Sequence, residues 1–272
     1  VTGTALVTAL THPAGGLKNI PAHARRVVLL NQADSVELQS QARGLVEGLL
    51  GSFAQVAIVS LAQEKVFARH ENIAGIVLAG GGSRRLGQPA EHRRLKQLLD
   101  WQGQPLVRHA ASVAIEAGLS PVMVVTGAFG EEVAEAVRGL PVRVSHNPAW
   151  EAGQSTSVQR GLAELPSQVG GAVFLLVDQP FVSAPLIRAV VEEHARTLAP
   201  IVAPLIDEQR GNPVLFDRDT FPDFEALTGD VGARGLFARH RPVWVPWHEA
   251  RALLDVDTWE DYLRLREGQF AS

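Results

Sequence analysis

Cysteine is missing from all 272 residues. Disulfides, a thiolate nucleophile, Cys-ligated zinc and iron–sulfur clusters are therefore excluded. That is compatible with a reducing compartment, and the expected location is cytoplasmic. An excess of positive charge is also missing: 25 Lys and Arg stand against 29 Asp and Glu, for a net charge of −4. Nucleic acid is not an expected partner. No apolar run is long enough to span a bilayer, and the first residues lack a signal-peptide layout, so no membrane partner is expected. The nine histidines show no i, i+4 pair of the kind that builds a zinc helix. With 46% hydrophobic residues the chain can bury one large core or two small ones.

The most informative stretch is Gly75-Ile-Val-Leu-Ala-Gly-Gly-Gly-Ser-Arg-Arg-Leu-Gly87. An apolar run stops at three glycines and paired arginines follow. A buried strand feeding a loop around an anion has this pattern. Glycine lets backbone approach phosphate oxygens, and arginine adds forked donors. Gly82 and Gly87 have P-loop glycine spacing, but Gln88 and Pro89 replace the required Lys and Ser/Thr. A dinucleotide fingerprint starting at Gly80 fails at Arg85. The loop points to a phosphorylated ligand, with a glycine-rich turn and solvated arginines as the alternative.

Residues 1–72 read as a small α/β segment. A strand within Arg25–Asp34, a helix from Ser35 to Leu50 and a strand at Gln55–Ser60 are predicted. Asn31-Gln-Ala-Asp34 looks like a guanine-reading motif, but without a P-loop it reads as a strand end and helix cap. Glu71-Asn72 is the expected junction to a second domain at 73–272. There, strands at Gly75–Leu78, Pro121–Thr126, Val142–Val144, Ala172–Val177 and Pro200–Ala203 alternate with helices. Those helices are expected at Pro105–Ala117, Glu131–Arg138, Ser155–Leu165 and Leu186–Thr197, with Ser155 capping the third. Such alternation predicts an α/β fold with a mostly parallel sheet, whose ligands lie beyond the carboxyl ends of the strands.

Asp178 directly follows the most apolar strand, where a carboxylate can hold a divalent cation against nucleotide phosphates or merely cap a helix. Lys96, close after Arg84, Arg85, Arg93 and Arg94, can stabilise charge on an α-phosphate or belong to a solvated basic face. Asp255 and Asp257 lie in Leu253-Leu-Asp-Val-Asp-Thr-Trp-Glu-Asp261. Their apolar lead-in predicts that one ends a strand, and Thr258 or Asp257 caps the last helix.

Together these segments resemble the nucleotidyltransferases that attach a nucleotide to molybdenum cofactor. The resemblance rests on Leu78-Ala-Gly-Gly-Gly-Ser-Arg-Arg-Leu-Gly87, Asn147-Pro-Ala-Trp-Glu-Ala-Gly-Gln-Ser-Thr-Ser157 and Val177-Asp-Gln-Pro180. It extends through Arg210-Gly-Asn-Pro-Val-Leu-Phe216, Thr228-Gly-Asp-Val-Gly-Ala-Arg234 and Asp255–Asp261. The Gly-Asn-Pro and Gly-Asp-x-Gly-Ala-Arg segments are more like the cytidylyltransferase (MocA-like) branch than the guanylyltransferase (MobA-like) one. The resemblance implies a Rossmann-like domain, magnesium, CTP and molybdopterin as acceptor, with a molybdenum hydroxylase as a further partner. It assigns Leu78, Ala79, Gly80, Gly81, Gly82, Ser83 and Arg84, with Gly153, Gln154 and Ser155, to the nucleotide. Lys96, Arg85 and Asp178 are implied to be catalytic, Asp178 and Asp255 to hold metal, and Asn212, Asp230 and Arg234 to face the acceptor. Residues 90–95 look inserted ahead of Lys96, and the expectation is that they loop out. A relative using GTP and a cofactor carrier without catalysis are the competing readings. Residues 1–72 resemble the tail of a YqeC-like accessory family of selenium-dependent hydroxylases.

Overall fold

The computed structural model describes residues 7–9, 27–30, 35–46, 55–60, 63, 65–82 and 95–268. The Asn31–Asp34 motif, Ser83 to Arg94 and the last four residues lie outside them. The first sheet contains β1 (Val7–Ala9), β2 (Val27–Leu30), β3 (Gln55–Ser60) and β4 (Lys65–Glu71) in that spatial order. β2 and β3 are parallel, and β1 and β4 pair antiparallel at the two edges. The helix between β2 and β3 covers Val36–Gly44 and is capped by Ser35, whose Oγ accepts from the Leu38 N–H. β4 is not among the predicted strands. Its Lys65-Val-Phe-Ala-Arg-His-Glu71 sequence has no clean apolar face, and pairing along β3 supplies what local pattern lacks.

Asn72 alone separates β4 from β5 (Ile73–Ala79), the first strand of a larger sheet. A two-strand hairpin of β6 (Asp100–Trp101) and β7 (Gln104–Pro105) follows. The larger sheet then collects β8 (Val122–Thr126), β9 (Val142–His146), β10 (Gly171–Leu176), β11 (Ile201–Ile206), β12 (Gln209–Arg210), β13 (Val214–Asp217) and β14 (Pro242–Pro246). Its order is β12-β11-β13-β10-β5-β8-β9, with β14 against the other side of β11. β10, β5, β8 and β9 run parallel. β13 runs antiparallel between β10 and β11. The fold is thus α/β with a mostly parallel central sheet, as the alternation predicts.

β5 and β10 are apolar along almost their whole length because both of their faces are covered. On one face, Leu106–Glu116 and Ala184–Thr197 pack Leu106, Val107, Leu186, Ile187 and Val190 against Val77, Val173 and Leu175. On the other, the Gln154–Ala163 helix sets Val158 against Ile76, Met123 and Phe174. Gly161 lets that helix close on the sheet, since a Cβ there would come within 2.8 Å of Ile76 Cγ2.

Three local expectations need correction. The Gln154–Ala163 helix is not opened by a serine cap. Its N-cap is Gly153, at φ 112°, and no side chain caps it. Ser155 is instead buried as the second residue of the helix, with its Oγ unpartnered. No strand precedes Asp255: Ala250–Leu253 is a 3-10 helix and 254–257 forms no strand or helix. Asp178 caps nothing, because Ser183 caps the next helix through the Leu186 N–H. Thr258 and Asp261 do cap the last helix, Trp259–Arg266, with a reciprocal capping box.

Candidate active site

A cleft of about 650 Å³ opens at the carboxyl ends of β5 and β10. Its floor is Leu78, Gly80, Gly81 and Gly82 from the end of β5, with Leu176, Val177 and Asp178 from the end of β10. The parallel register places these two strand ends side by side, pairing Leu78 with Leu176. Lys96, Gln97, Trp150, Glu151, Gly153, Gln154, Ser157, Arg234 and Asp257 complete the lining.

Lys96 is the centre of charge in the cleft. Its Nζ lies 2.7 Å from Asp178 Oδ2 and 3.2 Å from Asp257 Oδ1. The residue opens a short 3-10 turn, Lys96–Leu98, and its side chain is only 18% exposed. It is therefore not on a solvated face, and it reaches the strand-end aspartate despite the residues that intervene after the glycine loop. Asp178 Oδ1 is buried and accepts no hydrogen bond.

Two further elements fix the Asp178 loop. The Val256 N–H donates to the Asp178 carbonyl at 2.8 Å, tying 255–257 beside it. Gln179 Nε2 donates to Asp255 Oδ1 at 2.6 Å. Asp255 is exposed as a residue, while its hydrogen bond with Gln179 is partly buried. Burial raises its pKa above the ordinary carboxylate range, and the charges of Asp178 and Asp257 raise it further, against the Gln179 hydrogen bond and Lys96. His109 Nε2–H donates to the Pro180 carbonyl at 2.9 Å, and burial lowers the His109 pKa. Phe181 is held edge-on by Trp101, with centroids 5.2 Å apart.

Among the described residues, Asp178 and Asp257 pair with Lys96, and Asp255 lies close enough for their charges to act on it. Among the described residues no group of three or more His, Cys, Asp or Glu side chains is placed to hold a metal ion by itself. An open site of this kind fits a hard divalent cation that shares its oxygens with a ligand's phosphates. The buried, unpartnered Asp178 Oδ1 is the oxygen such an ion would take.

Gly153 forms part of the cleft wall. A Cβ there would strike the Gly229 backbone, and its positive φ excludes most L-residues, so this chain crossing needs glycine. Beside it, Asn147 Nδ2 donates to Thr156 Oγ1 at 2.8 Å and to Ser157 Oγ at 3.0 Å.

Arg234 sits on the 3-10 helix Gly229–Ala238. Arg210 lies near it and stacks its guanidinium 4.5 Å over the Phe237 ring. Burial lowers the Arg210 pKa and the Arg234 charge lowers it further. Neither arginine has a carboxylate partner among the described residues.

Of the predicted site residues, the cleft collects Leu78, Gly80, Gly81, Gly82, Lys96, Gly153, Gln154, Asp178 and Arg234. Ala79 and Ser155 are buried and do not line the cleft, and neither do Asp255 or Asn212, the latter between β12 and β13. Ser83, Arg84, Arg85 and the Asp230 side chain fall outside what the structure describes. Gln97, Trp150, Glu151 and Ser157 were not singled out by sequence reasoning. Trp150, Glu151 and Ser157 lie inside a quoted motif, and Gln97 adjoins Lys96, so proximity to those segments was the available signal.

A glycine loop and a strand-end aspartate facing one cleft of a parallel sheet define a nucleotide-handling α/β enzyme. Residues 75–243 match the MobA-like NTP transferase domain, and the chain belongs to that family of nucleotidyltransferases. It is 30% identical over 203 residues to nicotine blue oxidoreductase of Paenarthrobacter nicotinovorans, covering 71% of this chain and 96% of that protein. It is 33% identical over 157 residues to a 3-deoxy-manno-octulosonate cytidylyltransferase of Methylococcus capsulatus, covering 56% of each. Rv0371c from Mycobacterium tuberculosis superposes with a TM-score of 0.63 at 29% identity, covering 72% of this chain and 98% of that one. That mycobacterial protein has also been solved in complex with manganese, at a TM-score of 0.57. Among the described residues no helix is long and apolar enough to cross a membrane.

Proposed function

We propose that this nucleotidyltransferase moves CMP from CTP to the terminal phosphate of molybdenum cofactor and releases pyrophosphate, with magnesium as its metal. The observation that carries the reading is the Lys96–Asp178 pair in the cleft of the glycine loop, with one Asp178 oxygen left unpartnered. Asp178, with Asp255 or Asp257, would hold the magnesium, which when bound supplies positive charge to the triphosphate. The manganese complex of the mycobacterial relative supports a divalent metal. The cytidylyltransferase among the relatives supports CTP.

The glycine loop, with Ser83, Arg84 and Arg85, cradles the triphosphate. Gly153 and Gln154 contribute the base side, and Ser155, buried in the same helix turn, supports them. Lys96 releases its hold on Asp178 and meets the α-phosphate. An acceptor phosphate oxygen forms a bond to the α-phosphorus while the bond from that phosphorus to the bridging oxygen breaks. The electron pair leaves with pyrophosphate, and Lys96 stabilises the charge that builds on the α-phosphoryl oxygens. Chemistry of this type is driven by position and charge without a covalent enzyme intermediate. Arg234, with Arg210 beside it, has no carboxylate partner among the described residues and would meet an anionic acceptor, to whose binding Asn212 and Asp230 are also assigned. A molybdenum hydroxylase would receive the product.

One relative's name raises a redox reading. The loop argues against a dinucleotide there, because Arg85 occupies the third glycine position of the fingerprint. The test is thermal unfolding with CTP, GTP, ATP or UTP, with and without magnesium, followed by pyrophosphate release in the presence of molybdenum cofactor. Ligand at a hundred times its dissociation constant adds about 2.7 kcal/mol. A magnesium-dependent, CTP-selective shift with pyrophosphate release supports the proposal. A GTP-selective shift moves it to a guanylyltransferase. Cofactor retained without pyrophosphate release makes the protein a carrier.

A further inference from the structure

Gln97 is 5% exposed and polar, and none of the chemistry above uses it. Its amide Nε2 donates to the Ala79 carbonyl at 3.2 Å and to the Gly81 carbonyl at 2.5 Å. Both carbonyls belong to the backbone that forms the glycine loop. In a trans peptide the C=O and the following N–H point in opposite directions. Drawing the Ala79 and Gly81 carbonyls toward Gln97 therefore turns the Gly80 and Gly82 N–H groups away from it. Gly80 and Gly82 both line the cleft. Two N–H groups of a glycine turn aimed to the same side, here those of Gly80 and Gly82, offer paired donors to an anion's oxygens.

A run of glycines has little conformational preference of its own and does not hold such an arrangement by itself. Something must fix the peptide planes before the ligand arrives, or ordering them weakens binding. We infer that Gln97 is a positioning residue that presets the Gly80 and Gly82 amides for a triphosphate. Its neighbour Lys96 is anchored to Asp178, so one three-residue turn sets the loop and the cation together. The inference rests on reading the cleft as a triphosphate site and is independent of which nucleotide or acceptor is used.

The experiment is calorimetric binding of magnesium–tripolyphosphate, magnesium–CTP and cytidine to wild type, Gln97→Met and Gln97→Glu, with the melting temperature of each unliganded protein. Gln97→Met keeps the side-chain length and removes both donors. The expected result is at least a tenfold loss for tripolyphosphate and CTP alike, with cytidine binding unchanged. In Gln97→Glu an ionised carboxylate faces two carbonyl oxygens, and a protonated one restores a donor. Its tripolyphosphate affinity relative to wild type should therefore recover as pH falls. A role confined to stability would lower the melting temperature and leave these affinities in place. Wild-type affinity for tripolyphosphate in Gln97→Met overturns the inference, as does a Gln97→Glu to wild-type affinity ratio that is flat with pH. Wild type that binds no triphosphate overturns it too, together with the cleft reading.

Discussion

Two aspartates mark the opposite ends of the central strands and live in opposite states. Asp178 follows the carboxyl end of β10, with one oxygen on Lys96 and the other buried without a partner. Asp217 ends β13 beside Gly171, the first residue of β10. There, Oδ1 accepts from the Asp219 N–H at 2.9 Å, and Oδ2 lies 2.8 Å from His194 Nε2 and 3.8 Å from Arg69. Burial works to raise the Asp217 pKa, yet the His194 and Asp219 hydrogen bonds and the His194 and Arg69 charges hold it below the usual range. A fully partnered carboxylate secures the fold, and one left half-partnered is held ready for something from outside. Buried charge with incomplete bonding costs stability, so its retention at the mouth of a cleft points to use.

The largest expected effect breaks this contrast at the open end. Asp178→Asn should lower pyrophosphate release by about a thousandfold, the scale of losing one key electrostatic contact, while the melting temperature holds or rises. Asp217→Asn should do the reverse. Removing one partner of a buried pair costs about 3–5 kcal/mol, readable by denaturant unfolding, while turnover per folded molecule stays near wild type. Equal loss of stability in both variants would erase the distinction.

Lys96→Ala should cost about a hundredfold in turnover and leave CTP binding in place. Loss of binding with kcat retained would instead make Lys96 only a triphosphate anchor.

The pH dependence sharpens the comparison further. Asp217 is depressed in the fold, so its stabilisation is present above the ordinary carboxylate pKa and is lost as pH falls through the depressed value. Asp255 is raised, so the folded chain binds its proton more tightly than the unfolded chain does. Between the ordinary and raised values its contribution to stability grows as pH falls, while its fitness as a metal ligand declines. The magnesium-dependent thermal shift should therefore weaken at a higher pH than an ordinary aspartate would produce. Asp255→Asn should flatten that profile, and an unchanged profile would assign the titration elsewhere. The smallest effect is at the terminal helix, where Thr258→Ala removes a capping side chain at a cost of about 1 kcal/mol and should leave nucleotide binding untouched.

Much of this was legible locally. β5, β8 and β10 announce themselves as apolar runs because both faces of a parallel sheet are covered. Asp178 and the glycine loop could be read because strand ends and glycines punctuate those runs. What could not be read depended on distant pairing. β13 reverses direction between β10 and β11, and its Val-Leu-Phe-Asp sequence carries no mark of orientation. The lead-in to Asp255 is apolar because Ala252 sits in the main core and Leu253 and Leu254 pack against it from a 3-10 turn and its end. Gln97 looks like any surface glutamine until two carbonyls from the preceding strand end arrive beside it.

The pairing of β5 with β10 brings together segments about a hundred residues apart in sequence, as Gly171 meets Ile73. Closing so long a loop is slow relative to forming the local helices. The glycine loop ends one of these strands and Asp178 follows the other, so a chain still in the course of folding has no ligand site at all. Nucleotide can therefore act on folding only after the central pair has joined. It should slow unfolding of the finished protein far more than it accelerates refolding.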